Sequence, residues 1–102
     1  MKIAFKMKLL PGMREAYEKR HSEIWPELKN LLMESGISDY SIFLDEETNI
    51  LFAVQQQNGQ SSQDLSSHPM VQKWWAIMKD LMETNLDNSP ISKELQMVFH
   101  MD

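Results

Sequence analysis

In residues 2–10, KIAFKMKLL, the chain alternates cleanly as far as Leu9: Ile3, Phe5, Met7 and Leu9 fall on one side of an extended chain, and Lys2, Ala4, Lys6 and Lys8 on the other. A period of two marks a β-strand with one buried face. Such a strand cannot stand alone, so the rest of the chain must supply neighbours and a cover. Pro11-Gly12 breaks the strand. A helical period follows over residues 13–34 and stops at Ser35-Gly36, glycine being the usual residue just past a helix end. Pro26 falls inside this stretch. It has no N–H for the Ser22 carbonyl and pushes Trp25 away from helical angles, so a kink is expected between Ser22 and Trp25.

ISDYSIFLD and NILFAVQQQ are two strand patterns joined by polar residues 45–49, a hairpin. NGQSSQDLSS reads as a polar loop ending in a helical turn. His68-Pro69 opens a second helix, proline suiting its first position, and the pattern runs on through MVQKWWAIMKDLME. TNLDNSP is irregular by composition, and ELQMVFHM reads as a closing strand. The order β-α-β-β-α-β makes an α+β, ferredoxin-like subunit: a four-stranded antiparallel sheet with two helices on one face. The other face is mixed in polarity, which suits pairing with a second copy. A chain of 102 residues is expected to form one domain over residues 1–102.

Several function classes fall away. Net charge is −5, with lysine and arginine scattered, so no row of phosphates would be neutralised and no nucleic-acid partner is expected. No apolar run approaches the roughly 18 residues of a membrane span, and the alternating amino terminus is unlike a signal peptide. The absence of cysteine removes disulfides and thiolate metal sites and accords with the cytoplasm. Three well-separated histidines give no metal signature, and neither a phosphate-binding glycine loop nor a serine nucleophile motif is present.

What remains is a small set of polar and aromatic side chains. Tyr17, His21, Ile24 and Leu28 share one helical face, opposite Glu15, Lys19 and Ser22. An imidazole on an apolar stripe gives up hydration. Either it is structural, donating to a backbone carbonyl, or it moves a proton near neutral pH, where its unperturbed pKa of about 6.5 lies. Asp87 and Asp45 are both available as its partner, and the spacing does not choose between them. Tyr40, with the parity of Ile42 and Leu44, is either a core tyrosine or a hydroxyl aimed at a ligand. Trp74 and Trp75 diverge by roughly 100° on a helix, so one can pack while the other walls a cavity. His68 reads as a helix-entry residue and His100 as outward-facing.

YEKRHSEIWPEL, YSIFL, WWAIMKDLM, NLDNSP and ELQMVFHM, in that order and spacing, resemble the L-rhamnose mutarotase family over nearly the whole chain. The resemblance implies a dimeric α/β barrel of ferredoxin-like subunits. It also implies cofactor-free interconversion of the α and β anomers of L-rhamnose. His21 falls on the family's proton donor; Tyr17, Tyr40, Trp74 and Trp75 fall on its sugar-binding positions. Leu86 stands where that motif has proline, residues 55–67 match no family motif, and the ending His100-Met101-Asp102 differs from the family's aromatic-apolar one. Mutarotation needs a proton on the ring oxygen and loss of one from the anomeric hydroxyl. Activity is therefore expected to follow one group titrating near neutrality. Two alternatives stand beside this: a cofactor-free monooxygenase-like enzyme on the same barrel, and a non-catalytic ligand-binding or dimerisation module.

Overall fold

The computed structural model describes residues 1–58, 65 and 67–102. Its elements are β1 (Lys2–Lys8), α1 (Arg14–Ser22), α2 (Pro26–Glu34), β2 (Ile37–Asp45), β3 (Ile50–Gln57), α3 (Pro69–Met78) and β4 (Lys93–Leu95). The four strands form one sheet in the order β2-β3-β1-β4, with every neighbouring pair antiparallel. That is the ferredoxin-like arrangement. Most of the polar loop over residues 58–67, including the expected helical turn as a whole, lies outside the described residues.

The alternation of β1 sets the layers. Phe5, Met7 and Leu9 are buried together with Leu51 and Ala53 of the neighbouring strand, and against them pack Tyr17 of α1 and Met78 of α3. Ile3, at the strand's start, is only half-buried. A second cluster holds Leu28 of α2, Ile37, Leu65, Val71 and Trp75. Tyr40 and Trp74 touch both clusters. They stand at the seam.

Three expectations from the sequence are corrected. The first helix is broken in two rather than kinked. Trp25 is extended (φ −61°, ψ 131°), and Pro26 starts α2, where a missing N–H costs nothing. The helix opened by Pro69 ends at Met78, not near Glu83. Leu81 and Met82 turn inward to burial, and backbone bonds from Leu10 to Leu81 and from Glu83 to Lys8 tie this segment to the end of β1. The closing strand pairs only over Lys93–Leu95. Val98 and Phe99 stay largely in solvent, beyond the last residue that pairs with β1.

One irregularity shapes the interior. Ser38 pairs with Gln56 and Ser41 with Val54, so Asp39 and Tyr40 together oppose Gln55. Such a bulge carries one extra residue, and Asp39 takes the left-handed conformation (φ 47°) that permits it. Ile37 and Tyr40 have opposite parity in the sequence. The bulge brings both to the face under the helices.

Candidate active site

The helix break, the bulge and the start of α3 surround a cavity of about 710 Å³. A volume of this size lies in the usual range for small-molecule sites. Tyr17, His21, Tyr40, Trp74 and Trp75, the five residues singled out from the sequence, all line it. Ile24, Leu28, Val71 and Met78 make much of its wall apolar.

His21 is held on three sides. Its ring stacks on that of Tyr17, one helical turn earlier, with centroids 4.2 Å apart and planes 28° apart. The Trp74 ring meets it nearly at right angles, with centroids 5.5 Å and planes 87° apart. Trp25, in the helix break, in turn supports Trp74 at 5.4 Å and 80°. The proline-driven break therefore serves the site by setting the indole that steadies the imidazole. Nδ1 of His21 lies 3.0 Å from the Tyr17 carbonyl oxygen. A carbonyl can only accept, so Nδ1 carries the hydrogen and Nε2 is the nitrogen left for the cavity. Neither Asp45 nor Asp87 is the partner. Asp45 accepts from the Glu47 amide and the Thr48 hydroxyl, and Asp87 from the amide and hydroxyl of Ser89. Both carboxylates are committed to turns of their own.

Burial pushes the His21 pKa below 6.5, with the Tyr17 carbonyl bond pulling the other way. The ring is neutral at pH 7. Burial, and then the neighbouring Tyr40, pushes the Tyr17 hydroxyl well above the usual phenol value. Tyr17 therefore keeps its proton and can donate a hydrogen bond. Trp75 is 6% exposed and anchored in the second core cluster, whereas Trp74 is half-buried across the cavity wall. The divergence of adjacent helical residues gives one indole to each task.

Glu18, Lys29, Ser38 and Asp39 also line the cavity and were not identified from the sequence. Glu18 sits in the charge run EKRHSE, which reads as a solvated face. Asp39 carried a usable signal, since aspartate inside a strand pattern is disfavoured and points to a bulge. The remaining histidines lie apart: His68 caps α3 by accepting the Met70 amide at 3.2 Å, and His100 pairs with Asp102 near the chain's end. Among the described residues no cluster of His, Asp and Glu could hold a metal ion.

Known proteins share this architecture. The profile of the L-rhamnose mutarotase family matches residues 2–101. The L-rhamnose mutarotase of Bacteroides thetaiotaomicron is 61% identical over 97% of this chain and 96% of its own length. That of Phocaeicola vulgatus is 58% identical with the same coverage. The crystal structure of L-rhamnose mutarotase from Formosa agariphila superimposes with a TM-score of 0.94 at 52% identity, covering 100% of this chain and 99% of that one. Neither the monooxygenase-like alternative nor the non-catalytic one gains support from these relatives. With its matched length, its sheet order and its aromatic cavity in agreement, the chain belongs to the L-rhamnose mutarotase family.

Proposed function

We infer that this chain interconverts the α and β anomers of L-rhamnose by opening and closing the pyranose ring. The observation that carries this reading is the convergence of one neutral imidazole, two phenols and two indoles on a single cavity. His21 is the acid–base group, a role contributing about 10²–10⁴-fold. Tyr17 and Tyr40 bind sugar hydroxyls. Trp74 covers the sugar's apolar face and methyl group and excludes water, with Trp75 forming the anchored wall of the same cavity, and holding the open chain while C1 turns adds further acceleration. The sugar makes and breaks its own bond between C1 and the ring oxygen, and only protons pass to and from the protein, so the reading calls for no cofactor.

The same reading takes residues 1–102 as one domain, working in the cytoplasm as a homodimer. Support for pairing comes from the sheet face away from the helices. Phe43 is 62% exposed there, and Phe52, Val54 and Ala4 share that face half-covered. An apolar patch of this kind suits a second copy whose sheet closes a barrel.

Saturation-transfer NMR on L-rhamnose near neutral pH tests the activity. Anomer exchange should be faster with protein than in buffer, and His21→Ala should abolish the gain while its circular dichroism and melting curve stay native-like. Equal exchange with and without the wild-type chain would refute the reading.

A further inference from the structure

Resting on the mutarotase reading above, we propose that His21 opens the sugar as a base through Nε2 and then returns the same proton to the ring oxygen, the Tyr17 carbonyl fixing the tautomer that makes this possible. The Nδ1–Tyr17 contact of 3.0 Å consumes one ring nitrogen as a donor. In the neutral ring the other nitrogen then has a lone pair and no hydrogen. A histidine in that state begins a cycle by accepting a proton.

The step balances with this one nitrogen. Nε2 takes the proton from the anomeric hydroxyl, and the electrons of that O–H bond form the carbonyl at C1. The bond from C1 to the ring oxygen breaks and its electron pair stays on the ring oxygen, which takes the proton from the imidazolium. After rotation about C1–C2, Nε2 removes the proton from the hydroxyl formed at the former ring oxygen as that oxygen attacks the other carbonyl face, and delivers the proton to the anomeric oxygen. Both oxygens are bonded to C1, so a single side chain reaches them in turn. Tyr17, which holds its proton, donates a hydrogen bond without having to ionise.

The surroundings favour this order. The groups facing the cavity with His21 are Tyr17 and Glu18 on α1, Lys29 on α2, and Asp39 and Tyr40 on β2; α3 contributes the indoles. Among the described residues none of these forms an ion pair with His21, and Glu18 is engaged by Arg14. An imidazolium waiting for substrate would lie against the Tyr17 and Trp74 rings without a carboxylate, and burial disfavours that form.

Two measurements test the proposal. In nitrogen-resolved NMR of the free enzyme at pH 7.5, the His21 ring should carry its hydrogen on Nδ1 with Nε2 bare; the opposite tautomer overturns the proposal. For anomer exchange, kcat/KM should hold level on the alkaline side and fall as pH drops through an apparent pKa below 6.5. A rate that instead falls as pH rises through the His21 titration identifies an acid that must start protonated, and overturns it. His21→Asn keeps a donor for the Tyr17 carbonyl but no base, and should lose about 100-fold or more; exchange retained within about tenfold contradicts the base role. A wild-type chain without exchange at any pH overturns the functional reading as well, whereas inverse pH dependence overturns this inference alone.

Discussion

Gly36 joins α2 to β2, the strand that carries Asp39 and Tyr40 into the cavity, and its replacement by alanine has a cost that can be worked out atom by atom. Its φ is 88°, in the left-handed region. A Cβ there would lie 2.4 Å from the Asn58 carbonyl oxygen and 3.0 Å from its carbon. That carbonyl belongs to the backbone, and the Gly36 oxygen accepts the Asn58 amide at 2.8 Å, so neither side can swing away. Gly12 is the natural control: its φ is 77°, and nothing lies within 4 Å of a Cβ built on it.

Each alanine raises the folded state by about 1–2 kcal/mol for the left-handed angle. Each also recovers about 0.4–1 kcal/mol through a stiffer unfolded chain. Gly12→Ala is thus expected to lose about 1 kcal/mol. Gly36→Ala adds overpacking against fixed backbone, about 1–3 kcal/mol more. At roughly 4–8 °C per kcal/mol for a domain of about this size, the two melting points should stand on the order of 10 °C apart. Urea unfolding followed by tryptophan fluorescence measures the difference directly. Equal losses in the two variants would show that the Asn58 carbonyl does not confine Gly36, and the packing argument would fail. A shift in KM for Gly36→Ala alone is also expected, because the displaced strand start leads into the bulge.

The paired indoles should separate stability from binding. Trp75→Ala is expected to lose about 3–5 kcal/mol by denaturant titration, as a buried tryptophan truncated in a core. Trp74→Ala should lose far less and register mainly as a higher KM for the sugar. His68→Ala removes the side-chain acceptor of the Met70 amide and should lower stability by about 0.5–2 kcal/mol, with anomer exchange per folded molecule unchanged. Acidification gives a further check. The folded His21 pKa lies below 6.5, so the ring is neutral in folded and unfolded chains above that pH and its contribution is constant there. Below pH 6.5 the unfolded chain takes up the proton first, and stability falls as pH drops through the folded pKa. His21→Asn should flatten that part of the melting-temperature profile.

Local pattern reaches a long way into this molecule. The alternation of residues 2–10 fixed which side chains of β1 face the helices, because a strand has only two faces and one must be buried. Pro26 announced a kink near His21, since its ring and its missing N–H act on residues within one turn, although the structure goes further and breaks the helix there. The helical spacing of Tyr17 and His21 put them on one face, where the structure stacks their rings, and the adjacency of Trp74 and Trp75 foretold their division of labour. All of these effects operate over four residues or fewer.

Interactions between distant segments decided the rest. Leu81 and Met82 could have prolonged α3, but the end of β1 offered them burial and backbone partners, and tertiary pairing outweighed helical periodicity. The last residues carry a strand's alternation, yet pairing stops at Leu95 because a strand needs a neighbour as well as a pattern. The bulge at Asp39 turned Tyr40 inward beside Ile37, which strict alternation forbids. The hydrogen bond that sets the His21 tautomer runs to a carbonyl every residue possesses, so no side-chain spelling could reveal it. Residue order determined the elements and the inward-facing side chains, through steric rules that act along the chain. Only folding in three dimensions determined where those side chains meet and which proton each one holds, since burial and hydrogen bonding depend on segments far apart in sequence.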